Sequence, residues 1–178
     1  MKSCGSCVFV GGPIQNALGG DGCFHGPTRS TVELVIASLT LDGHAVLSAH
    51  IHENFGEMDV SGKSQQVCLR DFGWMKQCDL FIAVLPLDES QNVIHSSGTA
   101  IELGWASALG KPVVLVCHPA PKYSHLILGL HAVTCTIALD INRSDLGEAV
   151  REAVALLLTS RATQPRIDQP NSAPQIFS

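Results

Sequence analysis

The chain has 178 residues, of which 46% are hydrophobic and only 15% are charged, and its formal net charge is -5. This composition predicts one soluble domain with a sizeable core, and the negative charge argues against general nucleic-acid binding, which needs a basic surface. No apolar run is long enough to span a bilayer, and the N-terminus lacks the pattern of a signal peptide, so a cytoplasmic protein without a membrane segment is expected.

Short apolar runs alternate with helical patterns along the chain. Strands are predicted at residues 7–10, 44–49, 80–85, 113–116 and 134–139. Helices are predicted at residues 28–41, 64–78, 96–108, 124–130 and 146–158, with loops at residues 14–27 and 50–63. Because the strands are almost continuously apolar, this alternation indicates an α/β fold with a parallel sheet that is covered on both faces.

The C-terminal segment differs from the rest of the chain. Residues 161–178 contain three prolines and many polar residues, which indicates a disordered tail. The folded domain is therefore expected to occupy residues 1–160.

Seven cysteines are an odd number, and they are scattered through apolar segments. This distribution favours reduced, buried thiols over a disulfide framework. Cys4 and Cys7 form a C-x-x-C pair, but the pair leads into the first strand, whereas a redox pair usually follows a strand and opens a helix. The sequence contains no second pair of zinc ligands, so no metal site is expected.

A small, hydroxyl-rich loop opens the helix that follows the third strand, beginning at Ser96. A helix start offers free backbone N–H groups and the positive end of a dipole, which suit an anion such as phosphate. Glu102 lies about one turn inside this helix, where a carboxylate could act as a nucleophile or a base. Thr99 and Glu102 also have the spacing of a capping box, so a structural role stays open at this point.

Three loops leave the carboxyl ends of predicted strands, at Gly12, His50 and Ser96. In parallel α/β sheets ligands bind at those ends, so the three loops indicate one crevice. His50 and His52 could contribute to this pocket, although neither is expected to bind a metal.

Asp71, which lies late in the preceding predicted helix, could reach the same crevice. Two carboxylates can divide the cleavage of a glycosidic bond, with one attacking the anomeric carbon and the other managing protons or orienting the sugar. The structural alternative for Asp71 is a solvated helix residue that pairs with Arg70 or Lys76.

Several blocks of the chain resemble the nucleoside 2-deoxyribosyltransferase superfamily. They are the segment 71–79, the pattern Ser96-x-Gly98-x-x-x-Glu102-x-Gly104, the first-strand loop at residues 9–14 and the segment 124–129. The resemblance implies a flavodoxin-like three-layer sandwich with a five-stranded, mainly parallel sheet. It also implies cleavage of an N-glycosidic bond without a cofactor, in a homodimer with shared active sites.

The resemblance also implies the role of each site residue. Glu102 would be the nucleophile that forms a glycosyl-enzyme intermediate, and Asp71 would be the second catalytic carboxylate. Ser124 would reach the phosphate in the neighbouring subunit's site. The other implied substrate-binding residues are Phe9, Gly12, Ile14, Gln15, Ser96 and Gly98.

Three positions depart from the pattern of the transferases and deoxynucleotide hydrolases. Ser96 replaces an Asp that suits a free 5′-hydroxyl, and a hydroxyl at a helix start would instead donate to a 5′-phosphate. Phe9 replaces a Tyr, which favours ribonucleotides, and Gln15 replaces an Arg. The chain is therefore similar to the nucleoside 5′-monophosphate N-glycosidase branch, above all to cytidylate hydrolases. A base-exchanging transferase and a non-catalytic nucleotide sensor are the alternatives.

Overall fold

The sheet is formed by five apolar segments in the part of the chain that the computed structural model describes, residues 5–20, 22–119 and 123–163. These strands are β1 (Cys7–Gly11), β2 (Ala45–Leu47), β3 (Leu80–Leu85), β4 (Val113–Cys117) and β5 (Thr136–Asp140). Their order is β2-β1-β3-β4-β5, and every neighbouring pair is parallel. The expected α/β sheet is confirmed, with no antiparallel strand in it.

Helices cover both faces of this sheet. They are α1 (Gly26–Leu41), α2 (Ala49–His52), α3 (Ser64–Gln77), α4 (Ser97–Ala108), α5 (His125–Leu128) and α6 (Leu146–Thr163). One apolar cluster joins the sheet to α1 and α6, and a second joins its other face to α3 and α4. The flavodoxin-like three-layer arrangement is thereby confirmed.

The alternation of side chains along β1 shows how one strand feeds both clusters. Val8 and Val10 belong to the α1–α6 cluster, Phe9 belongs to the α3–α4 cluster, and all three are fully buried. Successive side chains of a strand point to opposite faces, so an unbroken apolar run is what a doubly covered strand requires. Burial of each such side chain contributes about 1.5–3 kcal/mol.

The order of the strands creates a crevice beside β1. The chain passes from β1 to β2 on one side and then crosses to β3 on the other, so connections leave β1 and β3 in opposite directions. Loops that diverge in this way open a space at the carboxyl ends of the two strands. Gly11 ends β1 there, and the segment from Leu85 to the start of α4 leaves β3 at the same edge.

The segment predicted as a loop at residues 50–63 is partly helical. α2 occupies Ala49–His52, and a 3₁₀ turn at Asn54–Gly56 follows it. β2 is accordingly shorter than the predicted strand. At the other end of the chain α6 extends to Thr163, three residues into the predicted tail, and residues 164–178 lie outside the described residues.

All six cysteines among the described residues are reduced, while Cys4 lies outside those residues. The expectation of buried thiols is wrong for Cys23, Cys68 and Cys135, which are exposed. Cys23 lies in a loop, Cys68 lies on α3 beside a surface cleft, and Cys135 precedes a strand. Among the helices of the described ranges, none combines the length and apolar character needed to cross a bilayer.

Candidate active site

Ser96 is the N-cap of α4. Its Oγ accepts hydrogen bonds from the backbone N–H of Thr99 at 3.1 Å and from the Thr99 hydroxyl at 2.9 Å. The capping-box interpretation of Thr99 and Glu102 is therefore wrong, because the cap stands three residues earlier. Since Ser96 Oγ accepts both bonds, its own hydroxyl proton is left to donate to a ligand.

Glu102 lies on the inner side of α4 and is only 7% exposed. No hydrogen bond to its carboxyl comes from the residues that the structure describes. Its Oε2 lies against the end of β1, where a Cβ added to Gly11 would stand 2.5 Å from it. Burial, and then the neighbouring Asp71 carboxylate, raise the pKa of Glu102 to about 8.

Asp71 lies near the middle of α3, not late in the helix as the sequence suggested, and is 9% exposed. Arg70 Nε donates a 2.7 Å hydrogen bond to its Oδ1. The pairing with Arg70 thus exists, but the solvated setting of the structural alternative does not. Burial raises the pKa of Asp71, and the guanidinium of Arg70 opposes that rise.

Arg70 also binds a third carboxylate. Its Nη2 donates to Glu53 Oε1 at 2.6 Å, and its guanidinium lies 4.8 Å from the centre of the Trp74 ring. Glu53 is only 3% exposed. No sequence pattern assigned a role to Glu53 or to Gly11, whose only signal was its position at the end of a strand.

Four of the sequence-predicted site residues meet in one cleft of about 270 Å³ between α3 and α4. Both carboxylates line it, and so does the N-terminal end of α4. The lining consists of Gln15, Val60, Ser64, Val67, Cys68, Asp71, Gly98, Ile101, Glu102 and Trp105. A buried carboxylate pair beside apolar walls suits a ligand that joins a sugar to a flat ring.

Ser96 and Ser124 line a neighbouring cavity of about 250 Å³ on the other side of the α4 start. Ser124 is the N-cap of α5, where its Oγ accepts from the backbone N–H of Ile127 at 3.4 Å. Within a single chain these two serines therefore line the same cavity, and neither of them lines the cleft that holds Glu102.

The remaining predicted contacts lie in β1 and in the loop that follows it, and they line neither of these two cavities. Phe9 is fully buried against the rings of Trp74 and Phe81, and Ile14 is buried as well. Gly12 packs closely, since a Cβ there would stand 3.1 Å from the Val84 carbonyl oxygen. In the free chain these three residues are part of the packed interior around the end of β1.

His50 and His52 have different surroundings. His50 is fully buried, with Nε2 at 3.3 Å from the Pro13 carbonyl oxygen, and burial lowers its pKa to about 4. It is therefore neutral at pH 7 and supports the first loop. His52 packs edge-on against Trp74 and does not line the cleft. Within the described ranges no three His, Cys, Asp or Glu side chains gather as metal ligands do.

A family model of nucleoside 2-deoxyribosyltransferases matches residues 18–157. The chain belongs to this family. The match includes both carboxylates of the cleft and the whole of α4. A comparison with curated proteins found no significant match.

Solved structures agree with the family assignment. CMP N-glycosidase BcmB from Clostridium botulinum matches with 26% identity and a TM-score of 0.53, over 82% of this chain and 96% of that one. BlsM matches with 22% identity and a TM-score of 0.65, over 94% and 100% of the two chains. A conserved protein from Enterococcus faecalis V583 matches with 20% identity and a TM-score of 0.55, over 83% of this chain and 98% of that one. The last two similarities bear on the fold alone.

In this member of the nucleoside 2-deoxyribosyltransferase family, α4 connects the two cavities. Its face with Gly98 and Glu102 lines the cleft, and its face with Ser97 and Ala100 lines the neighbouring cavity. A single helix start thus adjoins the carboxylate pair and the serine hydroxyls. This arrangement suits a substrate that carries an anionic group beside a glycosidic bond.

Proposed function

We propose that this chain hydrolyses the N-glycosidic bond of a pyrimidine ribonucleoside 5′-monophosphate, CMP or a 5-substituted CMP, to free base and ribose 5-phosphate. The observation that carries the proposal is the burial of Glu102 and Asp71 together in one cleft at the start of α4. Membership of the family and the similarity to a CMP N-glycosidase support it.

In the first step a Glu102 carboxylate oxygen forms a bond to C1′ of the ribose as the bond from C1′ to the base breaks. The electron pair leaves with the base, which takes a proton from Asp71. Water then forms a bond to C1′ as the glycosyl–Glu102 bond breaks, and Asp71 accepts the proton that the water loses. The pair returns to its starting state, and neither a metal nor an organic cofactor takes part.

The electrostatics of the cleft determine how many protons the two carboxyls carry. Two carboxylates in one buried site repel each other, so the pair holds one proton near neutral pH. Because the pKa of Glu102 is raised to about 8, that proton rests mainly on Glu102 in the free protein, and the reactive form, with Glu102 ionised and Asp71 protonated, is the less populated of the two singly protonated forms. Because the reaction needs one ionised and one protonated carboxyl, kcat/KM is expected to rise with pH as the doubly protonated pair loses its first proton, and to fall above about pH 8, where the pair loses its remaining proton.

The phosphate of the substrate would lie at the start of α4. The Ser96 hydroxyl and the backbone N–H groups around Gly98 would donate to phosphate oxygens, because the N-terminal end of a helix suits an anion. Ser124 of a partner subunit would complete the site in a homodimer. Exposed leucine and isoleucine side chains on the site-bearing helices support association: Leu69 on α3 (65% exposed), Ile101 on α4 (53%) and Leu126 on α5 (86%).

The decisive experiment follows release of free base by chromatography from CMP, dCMP, UMP, AMP and cytidine. CMP is expected to be the best substrate, and cytidine to be poor because it lacks the phosphate. Glu102→Gln is expected to lower kcat by about 1,000-fold or more. Glu148→Gln is the matched control, because Glu148 is an exposed carboxylate in the first turn of α6.

Two outcomes would favour other functions. Faster base exchange on deoxycytidine than hydrolysis of CMP would support a transferase that acts on deoxynucleosides. Absence of turnover, together with nucleotide binding that Glu102→Ala leaves unchanged, would support a sensor. Intact-protein mass spectrometry after rapid quenching tests the mechanism, since the proposed intermediate adds one ribose 5-phosphate to the wild type and none to Glu102→Gln.

A further inference from the structure

Arg70 connects the catalytic pair to a carboxylate outside the cleft. It binds Asp71 through Nε at 2.7 Å and Glu53 through Nη2 at 2.6 Å. The three side chains are largely buried, at 16% exposed for Arg70, 12% for Asp71 and 4% for Glu53. Trp74 covers the flat face of the guanidinium at 4.8 Å. The planar fork of Arg70 is thus fixed from two directions.

The hydrogen bonds leave one oxygen of Asp71 available. Arg70 holds Oδ1, and no hydrogen bond to Oδ2 comes from the described residues. Since Asp71 lines the cleft beside Glu102, an Asp71 carboxylate fixed at one oxygen can present the other to a substrate. Fold stability alone does not explain the arrangement, because an apolar group of similar volume often stabilises a fold as well as a buried ion pair does.

We propose that Arg70, held by Glu53, is a positioning residue that fixes Oδ1 of Asp71 and thereby aims Oδ2 at the substrate beside Glu102. This inference rests on the proposed glycosidase function, which it extends to two residues outside the catalytic pair. Small displacements of a catalytic group are costly in rate, so the effect belongs to kcat more than to substrate binding.

The charges around the pair predict opposite effects of removing Arg70 or Glu53. The charged or titratable groups that face it are Glu53 and His52 from the segment after β2 and Arg70 from α3, and Cys68 also lines the cleft. Arg70→Gln removes a cation and raises the pKa of both catalytic carboxyls. Glu53→Gln removes an anion, keeps an acceptor for Arg70 and lowers the pKa of both.

The experiment measures pH profiles of CMP hydrolysis for Arg70→Lys, Arg70→Gln and Glu53→Gln. Arg70→Lys, which loses the planar fork, is expected to lower kcat by about 10- to 100-fold with KM within about 3-fold of wild type. The ascending limb of kcat/KM should move up by about one pH unit in Arg70→Gln and down by a similar amount in Glu53→Gln.

The controls are Arg143→Lys and Asp145→Asn, which alter an exposed pair joined by two 2.7 Å hydrogen bonds. They are expected to leave kcat and the pH profile unchanged. If the variants at Arg70 and Glu53 match these controls, or if both move the limb in the same direction, the positioning role is refuted. Thermal unfolding of each variant separates loss of fold from loss of position.

A second readout separates this inference from the proposed function. The ¹³C shifts of the Asp71 and Glu102 carboxyl carbons can be followed with pH in the free protein, with Asp71→Asn and Glu102→Gln used for assignment. If the wild type releases no base, the proposed function fails, yet opposite midpoint shifts in Arg70→Gln and Glu53→Gln would still support the positioning role. Unchanged midpoints in folded variants would overturn it.

Discussion

Glu102 owes its chemical character to what surrounds it rather than to hydrogen bonds. α4 turns its carboxyl inward against Gly11, and the Asp71 carboxylate shares the same cleft. Burial and the Asp71 carboxylate both disfavour the charged form of Glu102. The carboxyl that the proposed reaction needs in its ionised form therefore has a pKa of about 8, close to neutral pH. A nucleophile with a pKa close to the working pH is also a moderate leaving group when the intermediate is hydrolysed.

This setting makes the stability of the fold depend on pH. The pKa of Glu102 is 4.5 ordinarily and about 8 in the folded chain. Below pH 4.5 the carboxyl is protonated in both the folded and the unfolded chain, so it does not affect the free energy of unfolding. As the pH rises towards 8, the unfolded chain ionises first, binds fewer protons at this site, and is favoured.

Glu102→Gln removes that titration and is therefore expected to stabilise the protein at alkaline pH. Relative to wild type, its unfolding free energy should rise by on the order of 3 kcal/mol between pH 5 and pH 8. Urea denaturation at the two pH values measures the difference. Glu148→Gln, at an exposed carboxylate, should show no such change, and an equal difference at both pH values would contradict the buried, neutral state of Glu102.

At the scale of elements, the strands are the part that the sequence predicts best. The apolar runs of β1, β3 and β4 are fully sandwiched, so composition alone marks them. The segment after β2 was missed because α2 has only four residues, too few to show a helical period. Asn54 and Phe55 then adopt positive φ values of 47° and 52°, a conformation that no sequence pattern assigns to Phe.

The same segment explains why only part of the site could be predicted. Glu102 and Asp71 follow from the rule that ligands bind at the carboxyl ends of strands, together with the family resemblance. The link from Glu53 to Arg70 spans 17 residues and depends on the unusual turn between them. The contact between Gly11 and Glu102 depends on how closely α4 approaches β1, which the spacing of residues does not reveal.

The junction of β1 and α4 gives a matched pair of glycine variants. Gly11→Ala would place a Cβ 2.5 Å from Glu102 Oε2 and 3.0 Å from the Phe81 ring, so we expect about 1–3 kcal/mol of destabilisation and loss of activity. Gly98→Ala meets only Ser96 Oγ at 3.7 Å, so the fold should keep or slightly gain stability.

Activity separates the two variants further. Gly98 lines the cleft, so Ala at this position is expected to raise KM for CMP while Tm is maintained. Differential scanning fluorimetry and initial rates on the same preparations measure both quantities. Wild-type KM in Gly98→Ala would contradict the placement of the substrate at the start of α4, and full activity in Gly11→Ala would contradict the close contact with Glu102.

At the scale of the whole molecule, the open question is which chain supplies Ser124 to each site. Within one chain Ser96 and Ser124 line a cavity beside the cleft, whereas the proposed homodimer brings Ser124 from the partner. In one arrangement the Ser124 hydroxyl contacts the phosphate bound by its own chain, and in the other it contacts the phosphate bound by the partner. The two arrangements predict different activities when two inactive variants are mixed.

Mixing Glu102→Gln with Ser124→Ala therefore tests the shared site. If Ser124 acts across the dimer, a mixed dimer has one site with both variants and one site with neither, so an equimolar mixture allowed to exchange subunits should regain about one quarter of wild-type activity. If Ser124 acts within its own chain, no site is restored, and the mixture gives only the mean activity of the two variants.

Mixing Glu102→Gln with Asp71→Asn is the control. Both carboxylates lie in one cleft of one chain, so each mixed dimer has one altered residue in each site and recovery is not expected. Light scattering of each sample reports whether dimers form at all.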